Sequence, residues 1–384
     1  MLPFIANYLS THVWGPFRLL DSFMVLMGFG ALLGAFLTWL LLPRLWDRLP
    51  HDHGKALTAD GTASRGKPTG AGIILSTLAV AILLIVMPWS WRLLGVLLCL
   101  ILISLFGYLD DAAKVSWSRT KKGLLDALVA VVAAAFFSEG QDVRVWLPFT
   151  QNVYWMSPLL FIPLAAFLLF ICINVANCCD GIDSLAGSLA TVSLLELAAF
   201  LYLVTGHNQF ADYFGVPHYG SGASWAIMMV VSAGCLAGYI WHNAFPSAVL
   251  MGDAGSRFLG LLIGIGALAT GNMLSFLIVA PIMLANGGGG LLKILILKAL
   301  RKLGCDTRTP LRKFPNTKTP ELYASDEEAA RQNPIVRALH RVRFPLHDQC
   351  RREWGWSPAQ VVVRFMLLQS FLSPILFLIL IKLR

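Results

Sequence analysis

Charged residues are scarce in this chain. Of its 384 residues, 13% are Asp, Glu, Lys or Arg, 57% are hydrophobic, and the mean hydropathy is +0.68. Soluble globular domains carry about 25% charged residues, so this composition excludes a soluble globule. We therefore predict a polytopic membrane protein.

Three further features are missing. Repeated ten-residue stretches that alternate between polar and apolar residues are absent, which argues against a transmembrane barrel. The apolar run after Phe23 is too long for a cleavable signal, so we expect it to remain as an anchor. The seven cysteines show no zinc-site spacing, and their odd number fits no closed set of disulfides, so we expect free thiols.

Long apolar runs, by contrast, are abundant. A helix needs about 20 apolar residues to cross about 30 Å of hydrocarbon. We therefore predict an all-α polytopic membrane protein with about ten transmembrane helices, built as a single integral membrane domain over residues 1–384. The predicted spans are 22–43, 70–90, 91–109, 124–138, 157–175, 184–205, 224–241, 257–272, 274–300 and 360–382.

The distribution of Lys and Arg predicts how these spans are oriented. Basic residues concentrate in the odd-numbered loops, and loops rich in Lys and Arg stay in the cytoplasm. The formal charge of +9 then lies mainly on the cytoplasmic face, where anionic lipids and anionic substrates are met. Residues 301–345 form an extended cytoplasmic loop in this topology. Its DEEAARQNPIVRALHRVR stretch suggests either an amphipathic helix or a solvated insertion.

Three short polar motifs stand at the ends of apolar runs. They are YLDD with Asp110 and Asp111, the cluster from Asn174 to Asp183, and MGDAGS with Asp253. A carboxylate beside a bilayer core is costly unless it is paired, hydrated or metal-bound, so each motif is a candidate functional site. All three motifs lie in odd loops or at their edges, and we expect them to meet in one cytoplasmic active-site cleft.

The spacing within the motifs suggests separate tasks for the carboxylates. Adjacent residues on a helix diverge by about 100°, so Asp110 and Asp111 would not hold one ion symmetrically. Asp180 and Asp183 would share one face with the asparagines of their cluster if that segment is helical. We expect this face to be a recognition surface.

The ligand atoms predict the chemistry. Carboxylate and amide oxygens favour Mg²⁺ or Mn²⁺, and such ions usually arrive with diphosphate substrates. Ser256 would cap a helix that begins at Arg257, and a helix start there would favour phosphate. The inferred reaction is phosphoryl transfer with in-line attack by an acceptor oxygen. Two other readings of the carboxylates stay open: helix-end capping with charge pairing to Lys114, and a proton relay.

Five sequence blocks occur in a characteristic order. They read DGTASRGKPTGAG from Asp60, GYLDDAAKV from Gly107, NVANCCDGIDSLAG from Asn174, HNAFPSAVLMGDAGS from His242 and FPLHDQCRREWGWSPAQVVVRF from Phe344. With these blocks the chain resembles the polyprenyl-phosphate N-acetylhexosamine-1-phosphate transferases, most of all the bacterial members that act on UDP-N-acetylmuramoyl-pentapeptide in peptidoglycan synthesis. The resemblance implies that undecaprenyl phosphate attacks the β-phosphate of the UDP-sugar in the bacterial cytoplasmic (inner) membrane. UMP and the first lipid-linked intermediate would be the products.

The resemblance also implies roles for individual residues. Asp253 would be the main Mg²⁺ ligand and Asp180 a further metal ligand, while Asp110 and Asp111 would position the lipid phosphate or assist its deprotonation. These three acids, Asp110, Asp111 and Asp253, form the predicted catalytic set. The residues predicted to bind substrate are Arg65, Lys67, Lys114, Lys122, Asn174, Asn177, Asp180, Asp183, Asn243 and His347.

The chain departs from the family pattern at several positions. Of three consecutive histidines before the last span only His347 is retained, Leu250 replaces an aromatic residue, and Asn286 stands where an acid is expected. The run from Gly287 to Gly290 is expected to interrupt the ninth helix. We read it as a bend that lines the cleft, with close helix packing as the alternative.

Other functions remain open on the sequence alone. One is a transferase that uses UDP-N-acetylglucosamine for another polymer. A second, of a different class, is an ion-coupled transporter, which predicts inverted repeats and acids at the bilayer midplane. A third is an inactive relative that acts as a scaffold. The expected partners are undecaprenyl phosphate, a UDP-sugar nucleotide and membrane lipids, with no nucleic acid, and a homodimer is left open.

Overall fold

The computed structural model describes residues 2–52, 64–310 and 323–383. The beginning of the block at Asp60 and residues 311–322 of the predicted cytoplasmic loop lie outside the described residues. Helices dominate the described chain. They are α1 (Leu2–His12), α2 (Phe23–Leu45), α3 (Gly72–Val86), α4 (Trp91–Asp111), α5 (Arg119–Ser138), α6 (Pro158–Cys179), α7 (Leu185–Ala199), α8 (Asn208–Phe214), α9 (Gly222–Asn243), α10 (Gly252–Ala269), α11 (Ser275–Val279), α12 (Pro281–Met283), α13 (Gly289–Lys302), α14 (Asp326–Arg331), α15 (Pro334–Arg341), α16 (Leu346–Arg352) and α17 (Pro358–Lys382).

The prediction of an all-α polytopic membrane protein is confirmed. Within the described ranges, eight helices are long and apolar enough to cross a membrane. The predicted spans 70–90 and 124–138 correspond to α3 and α5, which fall outside these eight because α3 has 15 residues and α5 begins with several charged residues. The exact number of spans therefore stays a prediction.

Strands are short and lie between helices. β1 (Val143–Trp146) and β2 (Val153–Met156) form an antiparallel hairpin between α5 and α6, with Val143 opposite Met156. β3 (Thr309–Pro310) and β4 (Tyr323–Ala324) form a two-residue parallel pair. The hairpin is anchored to the core by the buried Trp146, whose backbone N–H donates to the Gly271 carbonyl at 2.9 Å.

Helix α10 lies at the centre of the bundle and carries Asp253 near its start. Every residue from Ala254 to Ala269 is buried, and α3, α4, α6 and α7 pack around it. Its first turn is approached very closely, because a side chain at Gly72 would overlap the Gly255 backbone and one at Gly107 would overlap the Ala254 backbone. Small residues that allow such approach are typical of helix contacts in membranes. These contacts hold the start of α3 and the last turns of α4 against the start of α10.

Two expectations about helix ends are wrong. Helix α10 begins at Gly252, not at Arg257, so Ser256 lies inside the helix, where its hydroxyl donates to the Gly252 carbonyl at 3.0 Å. Helix α6 ends at Cys179. Asp180 and Asp183 therefore lie in a tight turn and do not continue a helical stripe from α6. Gly181 interrupts the helix, as its low helix propensity allows.

The ninth span is interrupted, but the break lies at Ala280 between α11 and α12 and not at the glycine run that was expected to cause it. It consists of α11, α12, a π-helical stretch (Leu284–Gly288) and α13. The glycines serve close packing, because a side chain at Gly287 would overlap the Val175 carbonyl and one at Gly289 would overlap the Phe344 ring. Close helix packing, which was the alternative prediction for the run from Gly287 to Gly290, is therefore confirmed in preference to a bend that lines the cleft.

The predicted amphipathic helix after residue 325 forms two helices instead of one. Helix α14 ends at Arg331, and α15 begins at Pro334, with Asn333 as its cap. The Asn333 side chain accepts the Ile335 N–H at 2.9 Å. Proline has no N–H and disfavours the helical conformation in the residue before it, so the helix breaks here.

Candidate active site

The polar motifs meet in one cavity of about 350 Å³. It lies where the ends of α4 and α6 and the start of α10 come together with the segments before α3 and α10. Ten of the thirteen predicted site residues line it. These are Lys67, Asp110, Asp111, Lys114, Lys122, Asn177, Asp180, Asp183, Asn243 and Asp253.

Asp253 is surrounded by donors from three helices. Its Oδ1 accepts the Asn177 amide at 3.1 Å, while its Oδ2 accepts Lys122 Nζ at 3.0 Å and an Arg257 Nη at 2.9 Å. Asn177 also donates to the Ser256 hydroxyl at 3.1 Å. The Asp253 side chain is 19% exposed, so one of its surfaces still faces the cavity.

Lys122 links two carboxylates across the cavity. Its ammonium forms ion pairs with both Asp110 and Asp253, and its side chain is 23% exposed. It lies ahead of the predicted span 124–138. Burial alone would lower the pKa of Lys122, but the Asp253 and Asp110 carboxylates outweigh burial and raise the pKa above its ordinary value. The two carboxylates therefore favour the positively charged form of Lys122 at the cavity wall.

The two adjacent aspartates of α4 have different partners, as the 100° divergence predicts. Asp110 is buried and accepts the Trp117 N–H at 2.7 Å in addition to its pair with Lys122. Asp111 accepts the N–H groups of Asp253 and Ala254, both at 3.1 Å. Asp111 thus caps the start of α10, where a carboxylate also interacts favourably with the helix dipole.

Two charged residues of this network were missed by the sequence reasoning. Arg257 donates to Asp126 at 3.1 Å and to Asp253 at 2.9 Å, and both Arg257 and Asp126 are buried. A signal for them existed, because each is a charged residue inside or at the edge of a predicted span. Each also lies four residues after a predicted site residue, Lys122 or Asp253, and so on the same helix face.

The first loop joins the cavity through backbone pairing. The Leu250 N–H donates to the Pro68 carbonyl at 2.8 Å, and the Ala71 N–H donates to the Leu250 carbonyl at 3.1 Å. This pairing places Lys67 beside the 180–184 turn, with its Nζ 3.8 Å from Asp183 and 3.0 Å from the Ser247 hydroxyl. Leu250 therefore acts partly through its backbone, and an aromatic side chain is not needed for this contact.

Asn243 holds the 180–184 turn in place. Its Oδ1 accepts the Ser184 N–H at 2.7 Å, and its amide donates to the Val249 carbonyl at 2.7 Å. Asp183 completes the arrangement by accepting the Ser247 N–H at 3.0 Å. Ser184 adopts a left-handed conformation at φ 66°, which is uncommon for serine and which these bonds stabilise.

Three predicted site residues do not line the cavity. Arg65 is exposed in a turn, and the Asn174 amide donates back to the Phe170 carbonyl at 2.9 Å. His347 is buried behind the 180–184 turn, where its ring would overlap any side chain added at Gly181. Asn286 Oδ1 accepts the His347 N–H at 2.9 Å and lies 3.2 Å from its Nδ1. The retained histidine of the family motif therefore contacts one of the departures from it, Asn286. The substrate contacts of Arg65, Asn174 and His347 stay predictions.

The cavity offers hard oxygen ligands for a divalent cation. The described residues contain no group of three or more His, Cys, Asp or Glu side chains that could hold a metal ion by themselves. Mg²⁺ is commonly held by one or two carboxylates together with substrate phosphates rather than by an all-protein cage. Asp253 and Asp180 both line the cavity and fit such a shared site.

Known proteins resemble this chain over nearly its whole length. The model of the family described as Glycosyl transferase family 4 matches residues 93–271. The phospho-N-acetylmuramoyl-pentapeptide-transferases of two Treponema pallidum strains, one of them strain Nichols, are each 40% identical over 383 residues, covering 99% of this chain and 96% of each relative. The protein of that name from Bartonella quintana (strain Toulouse) is 28% identical over 345 residues, covering 85% of this chain and 84% of the relative.

Proposed function

The chain belongs to the phospho-N-acetylmuramoyl-pentapeptide-transferase family, and from this premise we propose how its cavity works. The protein is a multi-pass membrane enzyme that transfers phospho-N-acetylmuramoyl-pentapeptide from its UDP derivative to undecaprenyl phosphate. The observation that carries this function is 40% identity along 99% of the chain. The convergence of the predicted site residues on one cavity supports it.

The reaction exchanges one phosphoanhydride bond for another. An oxygen of undecaprenyl phosphate forms a bond to the β-phosphorus of the UDP-sugar, and the bond from that phosphorus to the bridging oxygen breaks. The electron pair leaves with UMP. Both reactants are anionic, so the enzyme must reduce their repulsion and align them.

The basic residues at the cavity supply part of that charge compensation. Lys122 is partly exposed and holds two carboxylates, so an incoming phosphate can become its third partner. Lys67 and Lys114 line the same cavity and are assigned to the remaining phosphate oxygens. Asp110 holds Lys122, and Asp111 holds the start of α10, so both position the lipid phosphate indirectly.

We assign a bound Mg²⁺ to Asp253 and Asp180. Both carboxylates line the cavity, and Mg²⁺ is commonly held by one or two carboxylates together with substrate phosphates. Such an ion would neutralise the charge that develops on the diphosphate during transfer. Asn177 donates to Asp253 and orients it from α6. Asp183, which pairs with Lys67, is assigned to the nucleotide side of the cavity.

We infer the location of the reaction from the distribution of charge. Loops rich in Lys and Arg face the cytoplasm, and the cavity opens among segments of that kind. We assign the protein to the bacterial cytoplasmic (inner) membrane, with the active site facing the cytoplasm. UDP-sugars would enter from the aqueous side, and undecaprenyl phosphate would enter from the bilayer.

The test is release of UMP by the purified protein with undecaprenyl phosphate, Mg²⁺ and one UDP-sugar at a time. We expect turnover with UDP-N-acetylmuramoyl-pentapeptide, none after chelation of divalent ions, and none without the lipid phosphate. Turnover with UDP-N-acetylglucosamine and with no other UDP-sugar would show that the proposed donor is wrong. Absence of UMP release with every donor would overturn the enzyme itself.

A further inference from the structure

Arg257 and Asp126 form a buried ion pair next to the cavity, but neither lines it. Arg257 is 2% exposed and Asp126 is 3% exposed. Taking two charges out of water is costly, and a buried pair often contributes little net stability compared with apolar residues of similar size. The pair therefore calls for an explanation beyond joining two helices.

The Arg257–Asp126 pair is one of two ion pairs that join α5 to α10. Lys122 and Asp126 lie four residues apart on α5, and Asp253 and Arg257 lie four residues apart on α10. Lys122 contacts Asp253, and Arg257 contacts Asp126. Arg257 also contacts Asp253. The charges alternate along the order Asp110, Lys122, Asp253, Arg257, Asp126.

The two cations beside Asp253 differ in their access to the cavity. The Lys122 side chain is 23% exposed, whereas the Arg257 side chain is 3% exposed. A phosphate that enters the cavity can draw Lys122 away from Asp253, but it cannot reach the buried Arg257. The planar guanidinium of Arg257 binds two carboxylates at once, one through each terminal nitrogen.

We propose that Arg257, anchored by Asp126, is a positioning residue that keeps the Asp253 carboxylate aimed at the cavity when Lys122 turns to a substrate phosphate. The inference rests on the function proposed above and deepens it. Groups that hold a catalytic ligand from behind typically affect metal affinity or activity by about 10–100-fold. Asp126 acts on Asp253 indirectly, because Asp126 holds Arg257 and Arg257 holds Asp253.

A purely structural pair makes a different prediction. Arg257→Met alone leaves the buried Asp126 without its charged partner, which is strongly destabilising whatever the role of the pair. Asp126→Leu alone leaves Arg257 with Asp253 as its remaining carboxylate partner. The double variant Arg257→Met/Asp126→Leu removes both charges, and apolar residues in place of a buried pair are often neutral or stabilising. If the pair only joins α5 to α10, the double variant regains stability and activity together.

The experiment compares wild type, the two single variants and the double variant. Thermal unfolding reports stability, UMP release gives kcat and KM, and Mn²⁺ binding in the presence of UMP is read by electron paramagnetic resonance. We expect the double variant to melt near wild type, with kcat and Mn²⁺ affinity each about 10–100-fold lower and an unchanged KM for undecaprenyl phosphate. Wild-type kcat and Mn²⁺ affinity in the double variant would overturn the proposal.

Arg257→Lys provides a second test that preserves the buried positive charge. A lysine can pair with Asp126, but its single ammonium lacks the planar fork that reaches two carboxylates in fixed directions. We expect this variant to fold, and its kcat to fall by about tenfold, the lower end of the range for groups that hold a catalytic ligand. Wild-type kcat in this variant would also overturn the proposal. If wild type released no UMP, the proposed function would fail, and the Mn²⁺ measurement would still decide the role of Arg257.

Discussion

The two walls of the cavity hold their carboxylates in different ways. We call Asp110, Lys122 and Asp253 the charged wall, together with Arg257 and Asp126 behind them. We call Lys67, Asp183 and Asn243 the loop wall, together with their hydrogen-bond partners Ser184 and Ser247, which do not line the cavity. In the charged wall, carboxylates are bound mainly by cations from α5 and α10. In the loop wall, the carboxylate and the amide are bound mainly by backbone groups.

The difference indicates which wall can exchange partners. An ammonium on a flexible stem can leave one carboxylate for a phosphate, because it carries three donors that turn freely. A backbone N–H that leaves its acceptor inside the protein loses a hydrogen bond without a replacement. We therefore expect the charged wall to take part in the chemistry and the loop wall to set the shape of the nucleotide side.

The strongest test of this comparison is Asp253→Asn. The variant should fold, because Lys122 keeps Asp110 and Arg257 keeps Asp126 as partners. Loss of a metal ligand removes several kcal/mol of transition-state stabilisation, so UMP release should fall by about 10²–10⁴-fold. The matched control is Asp306→Asn, which removes an acid outside the cavity lining. Near-normal turnover of Asp253→Asn would remove Asp253 as a metal ligand.

Asn243→Ala tests the loop wall and should act mainly on stability. The substitution leaves the Ser184 N–H and the Val249 carbonyl without their partner, which costs about 1–3 kcal/mol for each buried group. We expect a lower melting temperature and a less than about tenfold change in kcat. Asn333→Ala, which removes an exposed cap worth about 1 kcal/mol, is the control. An unchanged melting temperature with lost nucleotide binding would make Asn243 a direct substrate ligand.

The smallest effect is expected at the exposed ion pairs of the polar segment. Arg308 and a local backbone N–H lower the pKa of Asp306, and the Ser325 N–H together with Arg308 lowers the pKa of Glu328. A lowered pKa means that these contacts stabilise the segment above the ordinary carboxyl pKa of about 4 and are lost as pH falls through the lowered value. The protection of the Ser325 N–H against hydrogen exchange, measured relative to the intrinsic rate at each pH, should therefore be lost only in acid.

Substitution of Arg308 at neutral pH provides the control for this prediction in acid. At neutral pH, Arg308→Met should leave turnover and melting temperature unchanged, because exposed ion pairs are screened and contribute little. Loss of the Ser325 protection already at neutral pH in the unmodified protein would contradict the lowered pKa of Glu328. A large loss of turnover in Arg308→Met would show that this segment takes part in the site.

Much of the site could be predicted from local sequence. The Asp110-Asp111 pair, the cluster from Asn174 to Asp183, and Asp253 were found because charge is rare beside apolar runs. The topology prediction placed these motifs on one side, and the structure brings them into one cavity. The family resemblance then assigned a reaction that the relatives confirm.

Local sequence was less informative about turns and helix ends. A helix start at Arg257 and a helical stripe through Asp183 were both wrong, because Asp111 from another helix caps α10 and because α6 ends before Asp180. The break at Pro334 was visible in the sequence, yet the amphipathic pattern across it suggested one continuous helix. Boundaries depend on caps, and caps can come from distant segments.

By itself, the sequence determined that the chain lies in a membrane, approximately where its helices run, which acids stand at their ends, and to which family it belongs. These properties depend on composition and order along the chain. Only the tertiary structure decided that Arg257 and Asp126 stand behind Asp253 and that His347 stands behind the 180–184 turn. Such partnerships depend on how helices approach and rotate against each other. Here that approach is set by glycine contacts such as those of Gly72 and Gly107, whose partners are far away in the sequence.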